Sequence, residues 1–207
     1  MRRLLLVPLL SLAALAAHAD EETRTLPAFT SISNSGPISI AVDVGKAQSV
    51  VASGNQEFLA QLKTEVVDGE LRVSMKNHRI NGSLGDPKLI VTLPALSRFA
   101  MAGAGAATLT HVSGDTLSVE YSGAGSLKAD GKVTSLKLEI AGVGSIDTRR
   151  LVAEKVSVNV GGVGNVQVYA SDTLDADVSG VGSLTYYGNP RTVHKSAGGI
   201  GSISRGD

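Results

Sequence analysis

The sequence predicts an all-β protein, a parallel β-helix-like solenoid of about six turns of 18–20 residues following a β-rich N-terminal half. Three observations carry this expectation. The first is a Gly-x-Gly corner that recurs as Gly103-Ala104-Gly105, Gly123-Ala124-Gly125, Gly142-Val143-Gly144, Gly162-Val163-Gly164, Gly180-Val181-Gly182 and Gly199-Ile200-Gly201. Successive corners lie 20, 19, 20, 18 and 19 residues apart, and a fixed period of that size marks a repeat architecture. The second is the alternation before each corner: Leu117-Val119-Tyr121, Leu136-Leu138-Ile140, Val156-Val158-Val160 and Leu174-Ala176-Val178, with polar residues between. A period of two gives a strand one dry face and one wet face. The third is an apolar residue after each corner, Leu109, Leu127, Ile146, Val166, Leu184 and Ile203, so the whole unit repeats and not its glycines alone.

A unit of this length holds two or three short strands and their bends. If each makes one turn of a coil, equivalent residues stack about 4.8 Å apart and the apolar columns fuse into a core that no single unit could bury. An antiparallel meander of hairpins is the competing arrangement. Near-constant unit length and corner chemistry favour the coil, and handedness stays open.

In chain order, residues 1–19 read as a secretory signal. Arg2 and Arg3 give the positive start, Leu4 to Ala16 the apolar run, and Ala17-His18-Ala19 a small-x-small cleavage site. The apolar run is shorter than the ~20 residues of a spanning helix. No second such run follows, so a chain without membrane span is expected after cleavage, in the periplasm or at the cell surface. Cleavage removes two arginines and no acids, leaving 17 basic against 19 acidic residues. The chain has no cysteine, hence neither a disulfide framework nor a lipid-bearing cysteine.

Residues 20–207 read as a single domain, with a β-rich part over 20–100 that lacks the corner repeat and the repeat coil over 101–207. Ile38, Ile40 and Val42 alternate as a strand should. Asn55 to Lys63 suits a short helix capped by Asn55, with Phe58, Leu59 and Leu62 on one side. Asp68-Gly69 is a two-residue hairpin signal that should pair Val66 with Leu71 and Thr64 with Val73, and bring Glu65 opposite Arg72 as an exposed charge pair. His78 to Lys88 reads as a polar loop, and Lys88 to Leu93 as a strand halted by Pro94.

Several chemistries are disfavoured. A dinucleotide site needs a third glycine and a helix after the Gly-x-Gly, where here strands follow. His78, His111 and His194 lack paired metal-ligand spacing, so neither a metal nor a cofactor is expected. No Gly-x-Ser-x-Gly elbow occurs. Ser126, Ser145, Ser183 and Ser202, with Asn165 in the same column, suit short hydrogen bonds to neighbouring backbone. Aromatics are 3% of the chain and acidic residues outnumber basic ones after cleavage, which argues against nucleic acid. The terminal Arg205-Gly206-Asp207 matches an integrin-binding tripeptide, as glycine-rich composition produces by chance.

One constellation suits function. Stacking would place Ser118, Lys137, Ser157 and Asp175 in one exposed column and Glu120, Glu139, Asn159 and Asp177 in the next. Glu120, Lys137, Glu139, Asn159, Asp175 and Asp177 are the candidate binding residues, and no catalytic residue is assigned. The expected function is an exported, non-enzymatic module with a binding or envelope-structural role (adhesin-like, on the family resemblance given below), its partner a polysaccharide or another envelope or surface component, oligomers being compatible. The alternative is a polysaccharide-active hydrolase or lyase, because carboxylates in neighbouring turns fall in the ~5–10 Å range of glycoside hydrolysis.

The six corners, with Phe29-x-x-Ile32, Gly36, Gly45, Ser49-Val50-Val51, Val67-Asp68-Gly69-Glu70-Leu71 and Val91-Thr92-Leu93-Pro94-x-Leu96, resemble a bacterial family of unknown function, the "putative auto-transporter adhesin, head GIN domain". The resemblance covers about residues 25–207. It implies a β-helix-like, all-β fold and export, and carries over no catalytic residue.

Overall fold

The computed structural model describes residues 20–76 and 87–207. The signal segment 1–19 and the polar loop's residues 77–86, His78 among them, lie outside the described residues. Before the repeats come β1 (Asp20–Thr23), β2 (Ser31–Asn34), β3 (Ser39–Val44), β4 (Ser49–Gly54), α1 (Gln56–Gln61), β5 (Leu62–Val67), β6 (Glu70–Met75), β7 (Lys88–Leu93) and β8 (Arg98–Met101). The repeats form β9 (Ala104–Tyr121), β10 (Ala124–Ile140), β11 (Val143–Val160), β12 (Val163–Val178), β13 (Val181–Tyr187), β14 (Thr192–Ala197) and β15 (Ile200–Arg205).

Each long strand is one turn of a parallel β-solenoid. It leaves the corner along one flank, bends, and returns along the other: β9 pairs with β3 through Ile40–Ala107 and with β8 through Phe99–Val119. Pairing is parallel and in register at every step, with Gly125 beside Gly105 and Gly144, and Leu138 beside Val119 and Val158. Irregularities fall at the bend, where turns differ in length, as between Lys128 and Asp130. Six corners bound five complete turns, and β15 begins the next, so the solenoid has about five turns.

The alternating residues point inward as expected. Leu117, Val119, Tyr121 and their counterparts through Val178 are buried, and Val158 is 3% exposed while Asn159 is exposed. One column needs correction. The apolar residue stacked after the first corner is Ala107, beside Leu127 and Ile40, and Leu109 instead pairs with Ala129 two positions on. Register is counted from the glycines, so the column takes the second residue after the second glycine, whatever its size.

The N-terminal half joins the stack more closely than its sequence suggests. A Cβ on Gly103 would lie 1.9 Å from the carbonyl oxygen of Gly36, so Ser35-Gly36-Pro37 is itself a corner and β2–β3 an additional layer. Asn34, fully buried, secures it: its Oδ1 accepts from Gly36 N at 2.9 Å and its Nδ2 donates to Ile38 O at 3.2 Å. Beyond that layer, β6 and β7 continue the two flanks in parallel, and β5, β4 and β1 close them antiparallel. The helix is shorter than expected, Gln56–Gln61, because Leu62 turns extended and opens β5 with Lys63; its cap is as expected, with Asn55 Oδ1 accepting from Phe58 N at 2.8 Å and Phe58 buried.

The hairpin register is Val66–Leu71, Thr64–Val73 and Glu65–Arg72, turned by Asp68 and Gly69 at φ 51° and 74°. The charges pair differently from the expectation. Arg72 bonds Glu70 at 3.1 Å and Glu65 bonds Lys63 at 2.9 Å, each a same-strand neighbour on the same face.

Candidate functional site

The flank that precedes each corner carries all six candidate residues. Its first column runs Arg98, Ser118, Lys137, Ser157, Asp175 and His194, and its second Ala100, Glu120, Glu139, Asn159, Asp177 and Ser196, every neighbour in parallel register. Strand pleat sends these side chains outward because the alternate positions are the core. An open groove of about 460 Å³ follows the line where this flank meets the corner, bordered by Glu120, Glu139 and Asn159.

The carboxylates are spread along this flank, Glu120 and Glu139 bordering the groove and Asp175 and Asp177 outside its lining. Arg98 grips Glu120 with both ends of its fork, Nε to Oε1 at 3.0 Å and Nη2 to Oε2 at 2.7 Å, and its Nη1 also donates to Glu70. Those hydrogen bonds hold the Glu120 carboxyl below the usual carboxylate range. Lys137 pairs with Glu139 at 3.3 Å. Asp175 and Asp177 make no ion pair among the described residues. A glycosidase acid needs a carboxyl pushed upward by an apolar pocket, and Glu120 is pushed the other way.

The opposite flank carries the serine column, with Asn165 in it as expected. Its one side-chain hydrogen bond among the described residues runs along the column rather than to backbone: Ser183 Oγ donates to Asn165 Oδ1 at 2.8 Å. Strand neighbours already occupy the backbone groups. Of the tyrosines, Tyr121 and Tyr186 are buried, leaving Tyr169 and Tyr187 half-buried and stacked in adjacent turns. Gly206 rests on the Tyr187 ring, donates its N–H to Tyr186 O at 2.9 Å, and Arg205 bonds Asn189 Oδ1 at 3.3 Å. The Arg-Gly-Asp tripeptide is thus laid against the sheet.

Two features escape sequence reasoning. At the bend, Thr108, Lys128, Asp130, Asp147, Arg149 and Arg150 line a cavity of about 250 Å³. Arg149 chelates Asp147, Nε to Oδ1 at 3.0 Å and Nη2 to Oδ2 at 2.8 Å, which lowers the Asp147 pKa, and it lies 5.6 Å over the Tyr187 ring. Asp147-x-Arg149, two apart on one strand face, was the available signal. The second feature is the middle residue of the corners, where Val143, Val163, Val181 and Ile200 form an aliphatic ridge 57%, 48%, 46% and 80% exposed.

Fold and surface together define a parallel β-solenoid that displays in-register polar ladders on two flat flanks. The chain belongs to the family described as "putative auto-transporter adhesin, head GIN domain", whose profile matches residues 28–190. Among solved structures it is similar to a "putative adhesin" from Bacteroides fragilis, at 23% identity and a TM-score of 0.75, covering 92% of this chain and 98% of that one. It is also similar to a "putative lipid binding protein" from Parabacteroides distasonis, at 19% identity and a TM-score of 0.51, with the same coverage. These likenesses concern the fold. No curated protein matches the chain.

Proposed function

We propose that the protein is an exported binding module of the bacterial envelope or cell surface. It holds an extended polymer, a polysaccharide foremost, along its polar flank without cleaving it. The observation that carries this reading is the flat, in-register ladder of Lys137, Ser157 and Asp175 beside Glu139, Asn159 and Asp177. At about 4.8 Å per turn the six rungs from Arg98 to His194 extend some 25 Å and set a polar side chain at regular intervals, which suits a linear chain. The family's description as an adhesin, and the signal-like residues 1–19, agree with export and surface attachment. With so few exposed aromatics, each contact is weak and retention depends on display of many copies.

The test incubates purified protein with envelope and extracellular glycans and measures retention and reducing-end release together. Retention without release is expected, and Asp177→Asn with Glu139→Gln should weaken it several-fold. Release of ends that these substitutions abolish would replace this reading with the hydrolase. Absence of retention on every glycan would overturn polymer binding.

A further inference from the structure

We propose that the bend cavity around Lys128 and Arg150 is an anion subsite, taking a carboxylate carried on a glycan chain. This deepens the polymer-binding reading and rests on it. Turns β10 and β11 bring three cations, Lys128, Arg149 and Arg150, against two carboxylates, Asp130 and Asp147, leaving one positive charge in excess, and Thr108 of β9 completes the lining. Arg149 and Asp147 neutralise each other through two hydrogen bonds, and Tyr187 fixes the guanidinium further, so this pair acts as a rigid wall. Asp130 is engaged on the other side, where Oδ1 accepts from the His111 backbone N–H at 3.0 Å.

The remaining donors are underused. Arg150 reaches Asp130 through one nitrogen only, at 3.4 Å, and its side chain is 81% exposed. Lys128 makes no ion pair within 4 Å among the described residues, its charge reaching Asp147 only at longer range. A guanidinium carries five donors in a fork that matches a carboxylate, so Arg150 can accept one without giving up Asp130, and Lys128 supplies the second cation from the next turn. The cavity's lining residues Lys128 and Asp147 also belong to a polar column that continues through Gln167, Thr185 and Ser204, whose last two members give the neighbouring units of a chain hydroxyl partners. A small free anion would have no use for that column.

The experiment compares polygalacturonate, its neutral methyl ester and a phosphate-bearing glycan, by calorimetry on the full mature chain at low salt. Polygalacturonate should bind at least about tenfold tighter than its ester, and Lys128→Ala and Arg150→Ala should each weaken it about tenfold. Lys88→Ala, the same charge loss on the N-terminal half, should leave affinity unchanged. Equal affinity for acid and ester, with both cavity variants silent, overturns the subsite and leaves polymer binding standing. Binding of the phosphate-bearing glycan alone overturns the carboxylate assignment. Binding of none of the three, with retention on another glycan, overturns the subsite alone; binding of no glycan at all overturns polymer binding and the subsite with it.

Discussion

The corner glycines act at the scale of single atoms. Gly164 sits at φ 148°, and a Cβ there would stand 1.8 Å from the carbonyl oxygen of Gly144 in the turn before. Backbone conformation and close approach of the turns therefore both exclude a side chain. Gly45 separates the two effects, with φ 89° and nothing within 4 Å of where a Cβ would stand. Gly164→Ala should lower stability by roughly 3 kcal/mol or more, and Gly45→Ala by about 1 kcal/mol. Urea unfolding midpoints check this, and equal losses would show that stacking is not what demands glycine. The reverse case is Tyr121, whose buried hydroxyl has no hydrogen-bond partner among the described residues and whose pKa is raised by that burial. It occupies an inward position shared with Ile140, so the ring is there for its apolar bulk.

At the scale of elements, the bend of the first full turn is tied to the strand beside it. Asp43 on β3 receives Lys46 at 2.5 Å and His111 Nδ1 at 2.7 Å, and His111 holds the left-handed φ of 56°. These hydrogen bonds, Lys46 first and His111 second, lower the Asp43 pKa from 3.8 to about 2. A carboxyl depressed on folding contributes stability that is fully present above its unfolded pKa and is lost as pH falls through the folded one. Wild type should therefore be more stable than Asp43→Asn by a constant margin near pH 5, a margin that shrinks below about pH 4, is mostly lost by about pH 2 and vanishes near pH 1. Denaturant titrations of both proteins across that range test it; a margin unchanged at pH 2 would rule out the tie.

The whole molecule is quasi-one-dimensional, since each turn contacts only its neighbours along the axis. Removing residues 143–162 joins Gly142 to Val163, rebuilding a Gly-Val-Gly corner and seating β12 on β10. Register is conserved because Leu138 and Ala176 both pair with Val158, so they share one column. The shortened chain should keep its β circular dichroism spectrum and melt cooperatively, with Tm lower by roughly 5–10 °C. Loss of the β spectrum would mean that the turns are not interchangeable.

The sequence by itself determined the fold class, the corner positions, the inward and outward alternation of the repeats, the hairpin register at Asp68-Gly69 and the cap at Asn55. These are local or periodic properties: a period of two sets the faces, a period near 19 sets the stacking, and one turn dipeptide sets a register. The two columns holding Lys137, Asp175, Glu139 and Asp177 were legible for the same reason. Tertiary structure alone decided what each charge does there. Arg98, on a different strand, claims Glu120, because two segments 22 residues apart in sequence become lateral neighbours in the sheet. It likewise decided that Gly36 is a corner, since a single occurrence has no period to reveal it. The bend cavity was hidden because turn lengths vary at the bend, so Lys128, Asp130, Arg149 and Arg150 keep no fixed spacing there and only chain folding assembles them.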